Sequence, residues 1–349
     1  MTAHDIEYIE IYTADQQRTA DYFVSGFGFR ERARSRTDRL ESVLLSQLGI
    51  QIVVSSGPAA EEFIAAHGDG IADVAFACED VSATRDGAVA AGARLLPTAD
   101  GEPPAVTGFG GVRHSLVRRL PGESAQLPPG RGWTPVTEPA AAAAPDASGA
   151  DVPGLRRLDH IAVCIEAGRL YDQARFYIEG FGFEQYSSEY VTFGEQAMDS
   201  VVVRSPSTGI TFTIVEPDAT KEPGQLDEFL KRNGGSGVQH LAFLVDEIVP
   251  AVLTFESRGV EFLQTPGTYY DALAERISGL EETITDLRKA NVLADRDEWG
   301  YLLQLFTRSP FERRTLFFEL IQRQGAQGFG SSNIRALYEA VELARTATS

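Results

Sequence analysis

Cysteine, methionine and tryptophan are scarce in this 349-residue chain, two of each, and histidine occurs only five times. Two cysteines, Cys78 and Cys164, cannot build a disulfide framework, so a reducing compartment, the cytoplasm, is the expected location. Cations are short as well: 31 Lys and Arg stand against 50 Asp and Glu, a net charge of −19. That balance argues against nucleic acid and anionic membranes as partners, since both take basic patches. It does not exclude a small anion from a local pocket, where a metal ion dominates the field. The opening residues MTAHDIEYIEIY mix charge with apolar side chains and read as neither a signal peptide nor a membrane span. The 43% hydrophobic and 23% charged content is that of a soluble globular protein long enough for two cores.

Residues 121–154 are rich in Pro, Ala and Gly and read as a linker. It separates an N-terminal domain, 1–120, from a C-terminal domain, 155–349. The two sides look alike. DIEYIEIY followed by YFVSGFGFRE answers LDHIAVCI followed by FYIEGFGFEQ, and HGDGIADVAFACEDV answers NGGSGVQHLAFLVDEI. VRHSLVRR against FFELIQR is a weaker third pair. Alternating, β-branched runs such as SVVVRS and ITFTIVEP predict strands. GVQHLAFLV is expected to lead into a helix over Val249–Arg258 and then a strand at GVEFLQTP. The repeat predicts an α+β fold of duplicated β-α-β-β-β modules, curled into two open barrels with an enclosed pocket. Beyond GFGSSN, Ile334, Leu337, Tyr338 and Val341 fall at helical spacing, predicting a C-terminal helix over the active site.

Of the five histidines, His160 and His240 occupy matching points of predicted strands in the second half. A strand histidine is more often a satisfied core residue than a ligand. Glu319 alters that balance, because TLFFELI is apolar except at this carboxylate. A buried carboxylate without a cation costs several kcal/mol. The alternative to a metal is Arg323 or Arg314 folding back to pair with it. Two imidazoles and one carboxylate form the set that suits Fe(II) and leaves three coordination positions open. Aligned on the repeat, the first half carries Tyr8, Asp73 and Ser115 at these points, so one metal site per chain is expected.

LDHIAVC, GGSGVQHLAF, TPGTYYDAL, LLQLFT, TLFFELIQR and QGFGSSNIRALYEAVE run in the order and spacing of a known family. The chain resembles the α-keto acid dioxygenases of the vicinal oxygen chelate superfamily, the family of 4-hydroxyphenylpyruvate dioxygenase. The resemblance implies the vicinal oxygen chelate fold, Fe(II) held by His160, His240 and Glu319, and dioxygen with an aromatic α-keto acid as reactants. It also implies pocket residues. Gln304, Gln239, Ser200 and Asn333 match polar positions, and Gln225, Phe306 and Phe317 line the substrate; Gln225 also reads as a helix start. Val215, Thr213 and Ile334 replace the family's usual Asn, Pro and Phe. These departures resemble the branch that hydroxylates the benzylic carbon rather than the ring. The ring-hydroxylating branch, which makes homogentisate, stays open as the alternative, as do an extradiol ring-cleaving dioxygenase, a non-catalytic binding protein of the same fold, and a homo-oligomer.

Overall fold

A computed structural model describes residues 3–136, 154–277, 283–333 and 335. In the first half the strands are β1 (Ala3–Tyr12), β2 (Arg30–Arg36), β3 (Glu41–Gln47), β4 (Ile50–Ser56) and β5 (Gly70–Cys78). They continue with β6 (Leu95–Leu96), β7 (Ala105–Thr107), β8 (Arg113–Arg118) and β9 (Thr134–Pro135). The second half supplies β10 (Leu155–Cys164), β11 (Glu184–Phe193), β12 (Gln196–Arg204) and β13 (Thr211–Pro217). It ends with β14 (Gly237–Val245), β15 (Leu293–Arg296), β16 (Tyr301–Phe306) and β17 (Phe317–Gln324).

Each half forms one curled sheet, and the two share a plan. In the first, β1 pairs antiparallel with β5 and parallel with β4, and β5 pairs parallel with β8. In the second, β10 pairs antiparallel with β14 and parallel with β13, and β14 pairs parallel with β17. The register aligns the repeat residue by residue: Glu10 opposes Asp73 where Ala162 opposes His240. Asp73 neighbours Arg113 where His240 neighbours Phe317. Tyr8, Asp73 and Ser115 therefore stand at the positions of His160, His240 and Glu319.

The helices are α1 (Gln16–Asp21), running on into a wider turn over Tyr22–Phe27, α2 (Glu61–His67), α3 (Val81–Ala90) and α4 (Leu170–Phe181). Beyond them lie α5 (Gln225–Asn233), α6 (Ile248–Ser257), α7 (Gly267–Arg276) and α8 (Ile284–Lys289). Each Gly-Phe-Gly-Phe turn ends its helical segment on a left-handed glycine, Gly28 (φ 83°) or Gly182 (φ 71°), a conformation that costs other residues a steric penalty. The convex sheet faces meet in one core, where Phe23 and Phe27 pack on Phe318, and Phe76 on Phe181 and Phe212. Helices α3 and α4 touch at glycines; a Cβ on Gly87 would fall 2.9 Å from the Gly180 carbonyl.

Two expectations change. The stretch GVEFLQTP is not a strand but an extended loop joined to the sheet by a single bridge, Phe262 to Thr307. The first part of the anticipated linker is built into the first sheet: Thr134 and Pro135 pair with β2, and Arg131 is buried against Glu10. Composition missed this because only a few scattered residues carry the packing: Arg131 on Glu10, and Trp133 against the cluster around Tyr8 and Leu44. Residues 137–153 and the greater part of the anticipated C-terminal helix lie outside the described residues. No helix among the described residues is long and apolar enough to cross a membrane.

Candidate metal centre

The second sheet collects most of the anticipated site residues on its concave face. Register places Ala242 beside His160 and beside Glu319, and His240 beside Phe317, while Phe306 opposes Glu319 on β16. Gln304 follows two residues before Phe306, on the same face. On the other side Thr213 neighbours Ala162, Val215 neighbours Cys164, and Ser200 opposes Val215. His160 and Glu319 are 3% and 2% exposed, and one ligand atom from each of His160, His240 and Glu319 lies within 4.8 Å of the others. The Oε2 atom of Glu319 is 3.4 Å from His160 Nε2 and 3.1 Å from His240 Nε2.

The contact to His240 lacks hydrogen-bond alignment, and both His240 Nε2 and Glu319 Oε1 are buried without a hydrogen-bond partner. Two imidazole nitrogens and a carboxylate converging with unspent lone pairs fit a divalent cation of borderline hardness, Fe(II) among them. Burial alone would raise the Glu319 pKa, but the two imidazoles more than offset it and hold the carboxyl below its ordinary value. Burial lowers the His240 pKa, and its neutral form is the one that ligates. At His160 burial is outweighed by Asp159 and Glu319, which raise its pKa.

Both histidines sit at β-bulges. The β10–β14 register slips between Leu158 and His160, and again where Ala162 opposes His240 but Val163 opposes Val238. Asp159 and Gln239 are the extra residues, and a bulge turns such a residue toward its neighbour's side. Asp159 Oδ2 accepts a hydrogen bond from His160 Nδ1 at 3.0 Å, and Gln239 Oε1 lies 3.3 Å from His240 Nδ1. Strict alternation sends Asp159 to the opposite face, which is why sequence reasoning passed it over. Arg323 does not fold back on Glu319. Its guanidinium takes both oxygens of Asp159, at 3.0 and 2.7 Å. Arg314 is exposed, in a left-handed turn with φ 55°.

Around the triad, Phe317 stacks on His240 at 5.0 Å, and the edge of Phe329 meets His160 at 5.0 Å. Phe329 was not anticipated and has no periodic signal, because it lies in a loop. Gln304 and Asn333 are 1% exposed, with Gln304 Oε1 and Asn333 Nδ2 unpartnered. Asn333 Oδ1 accepts from the Tyr269 hydroxyl at 2.7 Å. Gly330 (φ 77°) permits this packing, since a Cβ there would run into the Gln304 amide. The Ser200 hydroxyl donates to the Glu189 carbonyl. Gln225 is exposed in the first turn of α5, not on the sheet face. Ile334 lies outside the described residues.

In the first half the corresponding groups satisfy one another. Ser115 donates to Asp73 through Oγ (2.5 Å) and backbone N (3.0 Å), and Arg113 donates to Asp73 at 2.9 Å. Arg131 forks onto both oxygens of Glu10 at 2.7 and 2.6 Å.

A paired curled-sheet fold with a two-histidine, one-carboxylate cluster on one concave face defines the class. Residues 7–109 and 157–305 each match the Glyoxalase/Bleomycin resistance protein/Dioxygenase superfamily. The 4-hydroxyphenylpyruvate dioxygenase of Yarrowia lipolytica is 30% identical over 363 residues, covering 96% of this chain and 91% of that protein. That of Pyricularia oryzae is 35% identical, covering 79% and 68%. A triply substituted 4-hydroxymandelate synthase from Streptomyces coelicolor superposes with a TM-score of 0.86 at 46% identity, over 99% of this chain and 100% of that one. The chain belongs to the 4-hydroxyphenylpyruvate dioxygenase family.

Proposed function

We propose that the chain is a 4-hydroxymandelate synthase: an Fe(II)-dependent dioxygenase that decarboxylates 4-hydroxyphenylpyruvate and hydroxylates its benzylic carbon. His160, His240 and Glu319 would hold the iron, which when bound supplies the Lewis acidity and electrons for oxidative decarboxylation of a keto acid by dioxygen. The protein's own residues bind and orient. The facing pair Phe306 and Phe317 offers aromatic walls beside His240, at 5.8 and 5.0 Å between ring centroids. Gln304 Oε1 and Asn333 Nδ2 are buried polar atoms whose desolvation cost a polar substrate group would offset. The surrounding apolar strands keep bulk water from the reacting carbon.

The observation that carries the synthase reading is Val215 on the ligand face, two strands and two residues along from His240, about 12 Å across the sheet. An aliphatic residue there offers the ring no hydrogen bond, so at this position shape rather than polarity bears on how far the ring advances. Displacement by about 1 Å is enough to exchange which carbon is poised to react. The 46% identity to the Streptomyces synthase supports the same choice. The relatives named 4-hydroxyphenylpyruvate dioxygenase support the second reading, a dioxygenase that makes homogentisate. Incubation with Fe(II), dioxygen and 4-hydroxyphenylpyruvate, followed by chromatography, decides. Mostly 4-hydroxymandelate is the expected product; mostly homogentisate overturns the synthase reading and leaves the family intact.

A further inference from the structure

We propose that Asp159 and Arg323 are positioning residues for the metal, acting through His160; this rests on the reading of His160, His240 and Glu319 as ligands. Asp159 Oδ2 lies 3.0 Å from His160 Nδ1, and both Asp159 oxygens take hydrogen bonds from the Arg323 guanidinium. A carboxylate in such a fork only accepts, so Nδ1 of His160 donates to it and Nε2 turns its lone pair toward Glu319. Arg323 locks Asp159 in a two-point fork and spends its third nitrogen on the carbonyls of Ala326 (3.2 Å) and Gly328 (2.6 Å). Its guanidinium carbon also lies 5.1 Å from the Phe329 ring, whose edge packs on His160. The imidazole is thus fixed at one nitrogen and at its side, and Arg323 anchors both restraints. His240 has only the neutral Gln239 amide at 3.3 Å, so the two histidines are unequally supported.

The internal repeat supplies the counter-argument. Glu7 and Arg119 hold the corresponding places in the first half and also pair, at 2.5 Å. A carboxylate–arginine pair at this bulge is therefore part of the fold even where no metal ligand stands beside it. The difference lies in what the carboxylate reaches. Glu7 accepts from the Gln126 backbone N at 3.2 Å, and Tyr8 replaces the histidine. The shorter Asp159 reaches the imidazole instead. A purely structural pair would govern unfolding; a positioning pair also governs the metal.

Metal binding separates the two. Full-length protein, stripped of metal, is titrated with Co(II) under anaerobic conditions and followed by its visible d–d bands, for wild type, Asp159→Asn, Arg323→Lys, Gln239→Leu and the pair Asp159→Asn with Arg323→Gln. The pair removes both charges together, so no buried ion is left unmatched if the single change fails to fold. Asp159→Asn and the pair are expected to weaken Co(II) binding about 10- to 100-fold and to change the band intensities, because the imidazole is no longer held at one angle. Arg323→Lys, which keeps the charge, should recover part of that loss, and Gln239→Leu should cost less than Asp159→Asn. Wild-type affinity and bands in the pair overturn the proposal while leaving the triad in place. Equal losses in Gln239→Leu and Asp159→Asn overturn the unequal support. Failure of the wild type to take one Co(II) per chain overturns the triad itself.

Discussion

His114 joins the two halves and should make the protein acid-labile in a calculable way. It is completely buried, stacked on Phe76 at 4.3 Å. One ring nitrogen bonds the Val74 carbonyl at 2.9 Å, and the other meets the Tyr177 hydroxyl of the second half at 2.8 Å. A neutral imidazole satisfies both, donating from Nδ1 and accepting at Nε2. Burial pushes its pKa from 6.5 down to about 4, against a smaller opposing pull from the Val74 carbonyl. Between those values the unfolded chain binds a proton that the folded chain does not, so stability rises with pH through this window. The contribution is intact above 6.5 and drains away as the pH falls toward 4. The whole gap is worth about 3 kcal/mol, and about 2.5 kcal/mol is gone by pH 4.5. His114→Gln offers a comparable donor and acceptor without titrating. Urea unfolding of both proteins at pH 7.0, 6.0, 5.0 and 4.5 isolates the effect, because the shared carboxylates cancel in the difference. The wild type should lose about 2.5 kcal/mol more than the variant over that range. Parallel losses would refute the assignment.

Glu319→Ala should abolish turnover and sharply weaken metal binding while leaving two imidazoles behind; metal analysis showing full iron occupancy in an active variant would sink the triad. Asp73→Asn weakens a buried contact to Arg113 and should cost about 1–3 kcal/mol of stability with iron content unchanged; loss of a second stoichiometric metal would show that the first half also binds one. Val215→Asn combined with Ile334→Phe should raise homogentisate at the expense of 4-hydroxymandelate. A change of about 1.4 kcal/mol between the competing barriers shifts the ratio tenfold, and an unaltered ratio would mean that other residues select the product.

The duplicated plan and the three converging side chains were legible in the sequence for a simple reason. Period-two alternation carries over intact wherever a strand is regular, as at Thr213 and Val215 or Gln304 and Phe306. It fails where one extra residue slips into a strand. Asp159 and Gln239 are such residues, and no local composition marks a bulge. Arg323 stood out as a cation near Glu319, but its partner was decided by a bulge 164 positions earlier in the chain. Arg131 was hidden differently, in a stretch whose Pro and Gly content spoke for a tether. Phe329 and Gly330 belong to a loop shaped by what it packs against, which periodicity does not encode.

The insertion of Arg131 bears on whether the first half is a separable module. Glu10 is wholly buried, and its short contacts to arginine come from residue 131, Arg113 standing farther off at 3.4 Å. A fragment ending at residue 120 would leave that carboxylate with the Ser55 hydroxyl and the more distant Arg113 alone, at a cost of about 1–3 kcal/mol. The connector is the keystone of the unit it leaves. A shuffled or circularly permuted descendant keeps this fork of Arg131 on Glu10 only where residues 121–135 travel with the half that precedes them.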